Sequence, residues 1–177
     1  VDSEARPGRP APDEAERDAI VAACLAELVA DEDESFRPAA LLLQDFSVRC
    51  RMRGLAEHAL DPARFRTRLS LARAGLPGGI GEGDPMADAA REAEALPEDA
   101  RGVFLLIARA ALDRAPCPSD EAIARVYGTH STGRVRRLLG YLEAQGAIVI
   151  RVDLRGGRAI ALPALGWTTG VAEAAEA

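Results

Sequence analysis

Lysine is missing from the chain altogether: all 22 basic side chains are arginine, set against 28 acids for a net charge of −6. Alanine supplies 36 of the 177 residues, and glycine and proline are abundant. A coding bias produces that same pattern, so arginine content by itself says nothing about nucleic acid, and only its placement can. Cysteine is scarce. Cys24, Cys50 and Cys117 are odd in number, widely spaced and without a CxxC, which excludes a disulfide framework or a zinc knuckle and leaves reduced structural thiols. The two histidines, His58 and His130, stand beside no other metal ligand and form no HxxxH pair, so no metal is expected and histidine-dependent nucleophile schemes lack their parts. Long apolar runs are also lacking. Nothing approaches the roughly 18 residues of a membrane span, and VDSEARPGRPAPDE has neither a basic n-region nor an apolar h-region, so a cytoplasmic protein with no membrane partner is expected. No nucleophile–base pair, carboxylate pair or cofactor loop points to an enzyme, and no cofactor is expected.

What is present is charge in blocks. Residues 1–34 carry −8, 35–75 carry +5, 76–113 carry −5, 114–160 carry +4 and 161–177 carry −2, so local positive surfaces are available on an acidic protein. The first dozen residues, with Pro7, Pro10 and Pro12, offer no periodic apolar positions and read as a disordered lead. Three helices are expected in a helical domain over 13–75. The first, from Pro12 to Ala30, carries Ile20, Ala23, Cys24 and Leu28 at helical spacing behind an acidic first turn. The second is capped by Ser35 and carries Leu42, Phe46, Val48 or Arg49, and Met52 toward Gly54. The third opens at Asp61-Pro62 with the face Phe65, Leu69, Ala72 and closes at Gly75. LPGGIGEGD at 76–84 reads as a flexible Gly-rich linker. GGIGEG misses the GxGxxG spacing, follows a helix and lacks GK[ST], so it is no phosphate loop. Helices beginning at Asp84-Pro85 and Pro97 open a domain over 85–167, with 168–177 as a tail; the longer helix carries Val103, Phe104, Ile107 and Ala111.

Residues 119–163 are the most informative. Ser119 caps EAIARVY, which ends at Gly128 four residues after Ala124, the AxxxG turn signature of a helix-turn-helix. Ser131 caps a second helix that runs to Gln145 and stops at Gly146. AIVIRVD, the turn LRGGR and RAIAL then make a β-hairpin, with Ile148, Ile150 and Val152 on one face and Ile160 and Leu162 on the return. Helix, helix-turn-helix, hairpin is the order of a winged helix. The fold class read from the whole chain is therefore mainly α, with α+β character in the C-terminal domain: an N-terminal helical domain plus a winged helix-turn-helix with a two-stranded wing.

Gly128 to Ile150, GTHSTGRVRRLLGYLEAQGAIVI, resembles without gaps the winged helix-turn-helix of LexA-type repressors. Gly128, Ser131, Val135, Leu139, Leu142, Gly146 and the strand 148–150 fall at matching positions, and the resemblance covers roughly residues 100–163. Many bacterial winged helices share this pattern. Only 14 residues follow Pro163, so no self-cleaving protease domain is expected and the damage-response role is not carried over; the resemblance implies the DNA-reading fold. It places base contacts in the first half of the second helix, here Ser131, Gly133, Arg134, Arg136 and Arg137.

Helical spacing leads to the same residues. Val135, Leu138, Leu139 and Leu142 share one face, while Gly133, Arg136, Arg137 and Gly140 share the other, flanked by Arg134 and with Thr132 near the start. Arginine on such a face reads guanine O6 and N7 in the major groove. Ser131 and Thr132 offer backbone N–H groups to a phosphate, and Arg155 and Arg158, either side of Gly156-Gly157, are expected to touch the backbone from the wing. His130 in the turn is a further phosphate donor to weigh; His58 reads as a helix-end or loop residue and Trp167 as a packing anchor against the hairpin. Gly133 and Gly140 count against this reading, since each costs about 1 kcal/mol against Ala and close approach to DNA justifies Gly133 but not both. A solvated arginine surface and a protein-binding winged helix are the bland alternatives.

The N-terminal basic block leaves two readings open. Arg64, Arg66 and Arg68 either make a secondary DNA contact or belong to a dimerisation unit whose arginines pair with the acids of 13–34. The expected function is sequence-specific binding of double-stranded DNA by a homodimeric transcriptional regulator, with a protein-interaction adaptor as the alternative. The sequence names no small-molecule effector.

Overall fold

A computed structural model describes residues 11–31, 33, 36–55 and 60–172. The lead 1–10, Ser35, His58 and the end of the tail lie outside them. The described chain is mainly helical, with a small three-stranded antiparallel sheet. Among the described residues no helix is long and apolar enough to cross a membrane.

Helix α1 (Glu14–Ala30) begins where Asp13 accepts from the Glu16 N–H at 2.8 Å and Glu16 returns the contact, a capping box that satisfies two otherwise orphaned donors. It buries Val21, Cys24, Leu25 and Leu28. The expected stripe through Ala23 is thus rotated toward Leu25, because an Ala-rich helix offers little contrast between faces. Helix α2 (Ala39–Met52) buries Leu42, Phe46 and Cys50, leaving Val48 45% and Met52 83% exposed rather than in the core. Helix α3 (Pro62–Arg73) starts as expected, with Asp61 accepting from the Ala63 and Arg64 N–H groups and Pro62 in the first turn. These helices enclose one buried cluster, in which the Phe46 and Phe65 rings sit 5.2 Å apart. Within it, burial and the neighbouring Cys24 thiol push the Cys50 thiol up to about 12, against the opposing charge of Arg53.

Helices α4 (Ala87–Glu94), α5 (Glu98–Leu112), α6 (Asp120–Tyr127) and α7 (Thr132–Ala144) surround a second, larger cluster with the sheet. Helix α5 is its axis, burying Val103, Phe104, Ile107, Ala108 and Ala111. Helix α3 belongs to both halves: Phe65, Leu69 and Ala72 face the smaller cluster, whereas Leu71 and Ala74 pack on the larger. The crossing is close. A Cβ on Gly102 of α5 would lie 3.3 Å from the Ser70 side chain and carbonyl and 3.2 Å from Val126 of α6.

The segment read as a flexible linker is seated on this body. Leu76 and Ile80 pack against the larger cluster, and Arg68 Nη2 donates to the Pro77 carbonyl at 3.1 Å. Strands β1 (Val149–Val152) and β2 (Arg158–Leu162) form the expected hairpin, with Val149 opposite Ala161 and Val152 opposite Arg158. Val152, expected on the buried face, is 65% exposed at the end of β1, an edge strand of the sheet. A third strand, β3 (Trp167–Thr168), was not expected from the sequence; it pairs Trp167 with Leu162, which anchors the indole as expected. The chain then continues across the body, with the Cys117 N–H donating to the Gly170 carbonyl at 2.9 Å. The sheet therefore has one strand more than a two-stranded wing.

Candidate nucleic-acid interface

Local chemistry sets the α6–α7 unit. Ser119 Oγ accepts from the Ala122 N–H at 3.1 Å, and α6 ends at Gly128, whose backbone (φ 74°, ψ 40°) is left-handed. That conformation costs an L side chain about 1 kcal/mol or more, and it lets the Thr129 N–H turn back onto the Ala124 carbonyl at 2.9 Å. Thr129 Oγ1 accepts from the Ser131 N–H, and Ser131 Oγ accepts from the Arg134 N–H at 3.3 Å, opening α7. Val135, Leu138, Leu139 and Leu142 are buried, as their spacing implies.

The opposite face is exposed. Ser131, Thr132, Arg134, Arg136 and Arg137 all lie open, with Gly133 half-buried among them. Arg134, Arg136, Arg137, Arg151 and Arg155 form no ion pair among the described residues, in contrast to Arg49 of α2 and Arg64 and Arg66 of α3. A Cβ on Gly140 would meet nothing within 4 Å, and on Gly133 only Ser131 Oγ at 3.6 Å. Internal packing therefore requires neither glycine. Burial and the Asp99 carboxylate hold the Tyr127 hydroxyl above its usual range, while Arg134 and Arg137 pull it the other way. Their positive field thus reaches the end of α6.

Two ties fix the hairpin against these helices. Glu143 Oε1 of α7 accepts from the Ile150 N–H at 3.0 Å. Arg158 donates to Asp120 of α6 at 2.6 Å and to the Pro118 carbonyl at 2.7 Å. Arg158 is therefore drawn inward by Asp120 instead of standing at the wing tip. Burial alone would lower its pKa; the bonds to Asp120 and Cys117 outweigh that and raise it. Arg158→Ala will lower stability by about 1–3 kcal/mol, since it strips a charge-assisted hydrogen bond from a half-buried carboxylate. Arg155→Ala will not, and urea unfolding of the two variants separates them.

The N-terminal arginines are arranged differently. Arg64 pairs with Asp61 at 3.6 Å, Arg66 with Glu98 at 3.1 Å, and Arg68 is spent on Pro77. Arg49 and Arg53 reach Glu27 of α1, one of the acids of 13–34, within the same chain. A cleft of about 370 Å³ between α3, α5 and α6 is lined by Arg66, Arg73, Asp99 and Tyr127. Its polar groups largely answer one another, through Arg66–Glu98 and through Tyr127 donating to Asp99 at 3.4 Å.

The contact that sequence reasoning missed is an aromatic one. His130, in the turn before α7, stacks on Phe36 with ring centroids 3.5 Å apart. Nothing local signals it, because the two residues lie in different halves of the chain. No family model matches the sequence, and searches of curated proteins and of solved structures likewise give no match.

Proposed function

We propose that α6, its turn, α7 and the hairpin act as a winged helix-turn-helix that reads double-stranded DNA, in a protein that regulates transcription as a homodimer. The observation that carries this is the outward face of α7, where three arginines without carboxylate partners share a helix whose other side is anchored in the core. Such a helix presents guanidiniums to guanine edges in the major groove. Thr132 offers a phosphate-binding N–H group at its start, the Ser131 N–H expected beside it being already donated to Thr129 Oγ1 at 3.1 Å, and Arg155 offers a backbone contact from the hairpin. Close approach of the backbone to DNA accounts for Gly133, which internal packing does not require, whereas Gly140 costs the helix about 1 kcal/mol with no such account.

The titration of mixed genomic duplex fragments with the intact chain tests it. Affinity will fall steeply between about 50 and 200 mM salt, because each phosphate neutralised contributes about −0.9 to the slope of log affinity on log salt. A homodimer is proposed with it, since a single unit buries too little interface for specific affinity. Leu41, Val48 and Met52, exposed along one stripe of α2, favour a protein contact and also support a second reading, an adaptor that binds protein alone. No duplex binding at low salt, with salt-insensitive association with a partner, would replace the first reading with the second.

A further inference from the structure

The tip of the hairpin is a closed system of hydrogen bonds. Asp153 Oδ1 accepts from the N–H groups of Arg155 at 2.8 Å and Gly157 at 2.7 Å. The Asp153 N–H donates to the Gly157 carbonyl at 2.9 Å, and the Gly156 N–H to the Asp153 carbonyl at 3.1 Å. The carboxylate is thus turned onto its own backbone, and the turn is rigid. What it holds outward is Leu154, fully exposed at 107% and the most exposed large apolar side chain of the described residues. In the sequence Arg151 precedes it by three residues and Arg155 follows it directly, neither in an ion pair among the described residues. Val152, two residues back, is also exposed at 65%, so the tip presents a short apolar ridge between two unpaired cations, and charge is depleted in the core of a protein interface. Such a tip suits a groove with acidic walls in which an apolar side chain can enter between stacked base pairs.

We infer that Leu154 is an apolar wedge that enters the minor groove of bound duplex and partly unstacks one base step, with Arg155 and Arg151 against the flanking phosphates. This rests on the reading of α7 as the major-groove helix. With α7 seated there, a hairpin tied to it through Glu143 and Ile150 and to α6 through Arg158 and Asp120 reaches across the phosphate ridge to the neighbouring minor groove. Leucine and methionine are among the side chains that wedge base steps and kink the duplex, and arginine favours a narrowed minor groove. The tip is preorganised for insertion, because the turn spends none of its binding energy on ordering.

The full-length chain is titrated against an end-labelled duplex recovered from random sequence by selection, with energy transfer between the ends reporting the bend. Leu154→Ser will bind about tenfold more weakly at an unchanged salt slope and lose the transfer change, and Leu154→Met will restore both. Arg155→Ala will keep the bend and lower the slope by about one. If Leu154→Ser stays within twofold of the parent in affinity and bends the duplex equally, the wedge is overturned and the reading of α7 stands. A change in oligomeric state on light scattering, with an unaltered bend, overturns it in favour of a contact between copies. Absence of duplex binding by the parent chain overturns both.

Discussion

If α7 is the DNA-reading helix proposed above, replacing Arg136 and Arg137 together by alanine will erase selection of particular DNA sequences while leaving the fold intact. Both side chains are exposed on α7 and form no ion pair among the described residues, so their removal breaks no internal contact. Alanine is also the better helix former. On DNA the loss is large, because each bidentate guanidinium–guanine contact contributes about 1–3 kcal/mol of discrimination. Two such contacts correspond to roughly 30-fold to 25,000-fold in the ratio of selected to random duplex. Residual binding will persist through Arg134, Arg155 and the helix start, with a shallower salt dependence. Competition titrations of the parent and the double variant, with unfolding midpoints alongside, separate loss of reading from loss of fold. An unchanged ratio would remove these two arginines from any role in base recognition.

The second large effect lies far from that face. Phe65 is 1% exposed and packs its ring 5.2 Å from Phe46 in a cluster of 11 buried residues. Phe65→Ala will cost about 3–5 kcal/mol through lost transfer energy and the cavity left behind. That is comparable with the whole stability of many domains. Because α3 also carries Leu71 and Ala74 into the larger cluster, the damage will spread beyond the three N-terminal helices. Trp167, the only tryptophan, packs on the larger cluster and reports that half alone, whereas far-UV circular dichroism reports all helices. Urea curves from the two probes will shift together in Phe65→Ala. A Trp167 transition that stays in place while the dichroism falls early would show that the halves unfold separately.

The parts of the molecule legible in its sequence are those specified by nearby residues. Ser119, Gly128, Ser131 and Gly146 punctuate α6 and α7 by hydrogen bonds that span only a few positions, and the buried row Val135 to Leu142 follows from helical period alone. Asp61-Pro62 marks the start of α3 in the same way. Legibility fails where alanine blurs the faces, as in α1, and where a rival stripe exists, as in α2, whose Val48 and Met52 look as apolar as the buried Cys50. It fails again at long range. Arg158 has every sequence attribute of a wing cation, but its partner Asp120 stands 38 residues away. The two-residue strand β3 is too short to show alternation. The stack of Phe36 on His130, the seat of Leu76 and Ile80, and the tight crossing at Gly102 leave no local trace either.

That seat changes what the molecule can transmit. A slack tether over 76–84 would let the two halves point anywhere relative to each other, and a grip on one would tell the other nothing. With the connector pinned by Leu76, Ile80 and Arg68, and with Phe36 resting on the turn before α7, the N-terminal helices and the arginine face share one frame. Whatever holds the first sets the angle of the second. In the proposed homodimer the distance between the two arginine faces would then be a fixed ruler, and a molecule that reads DNA would also measure it.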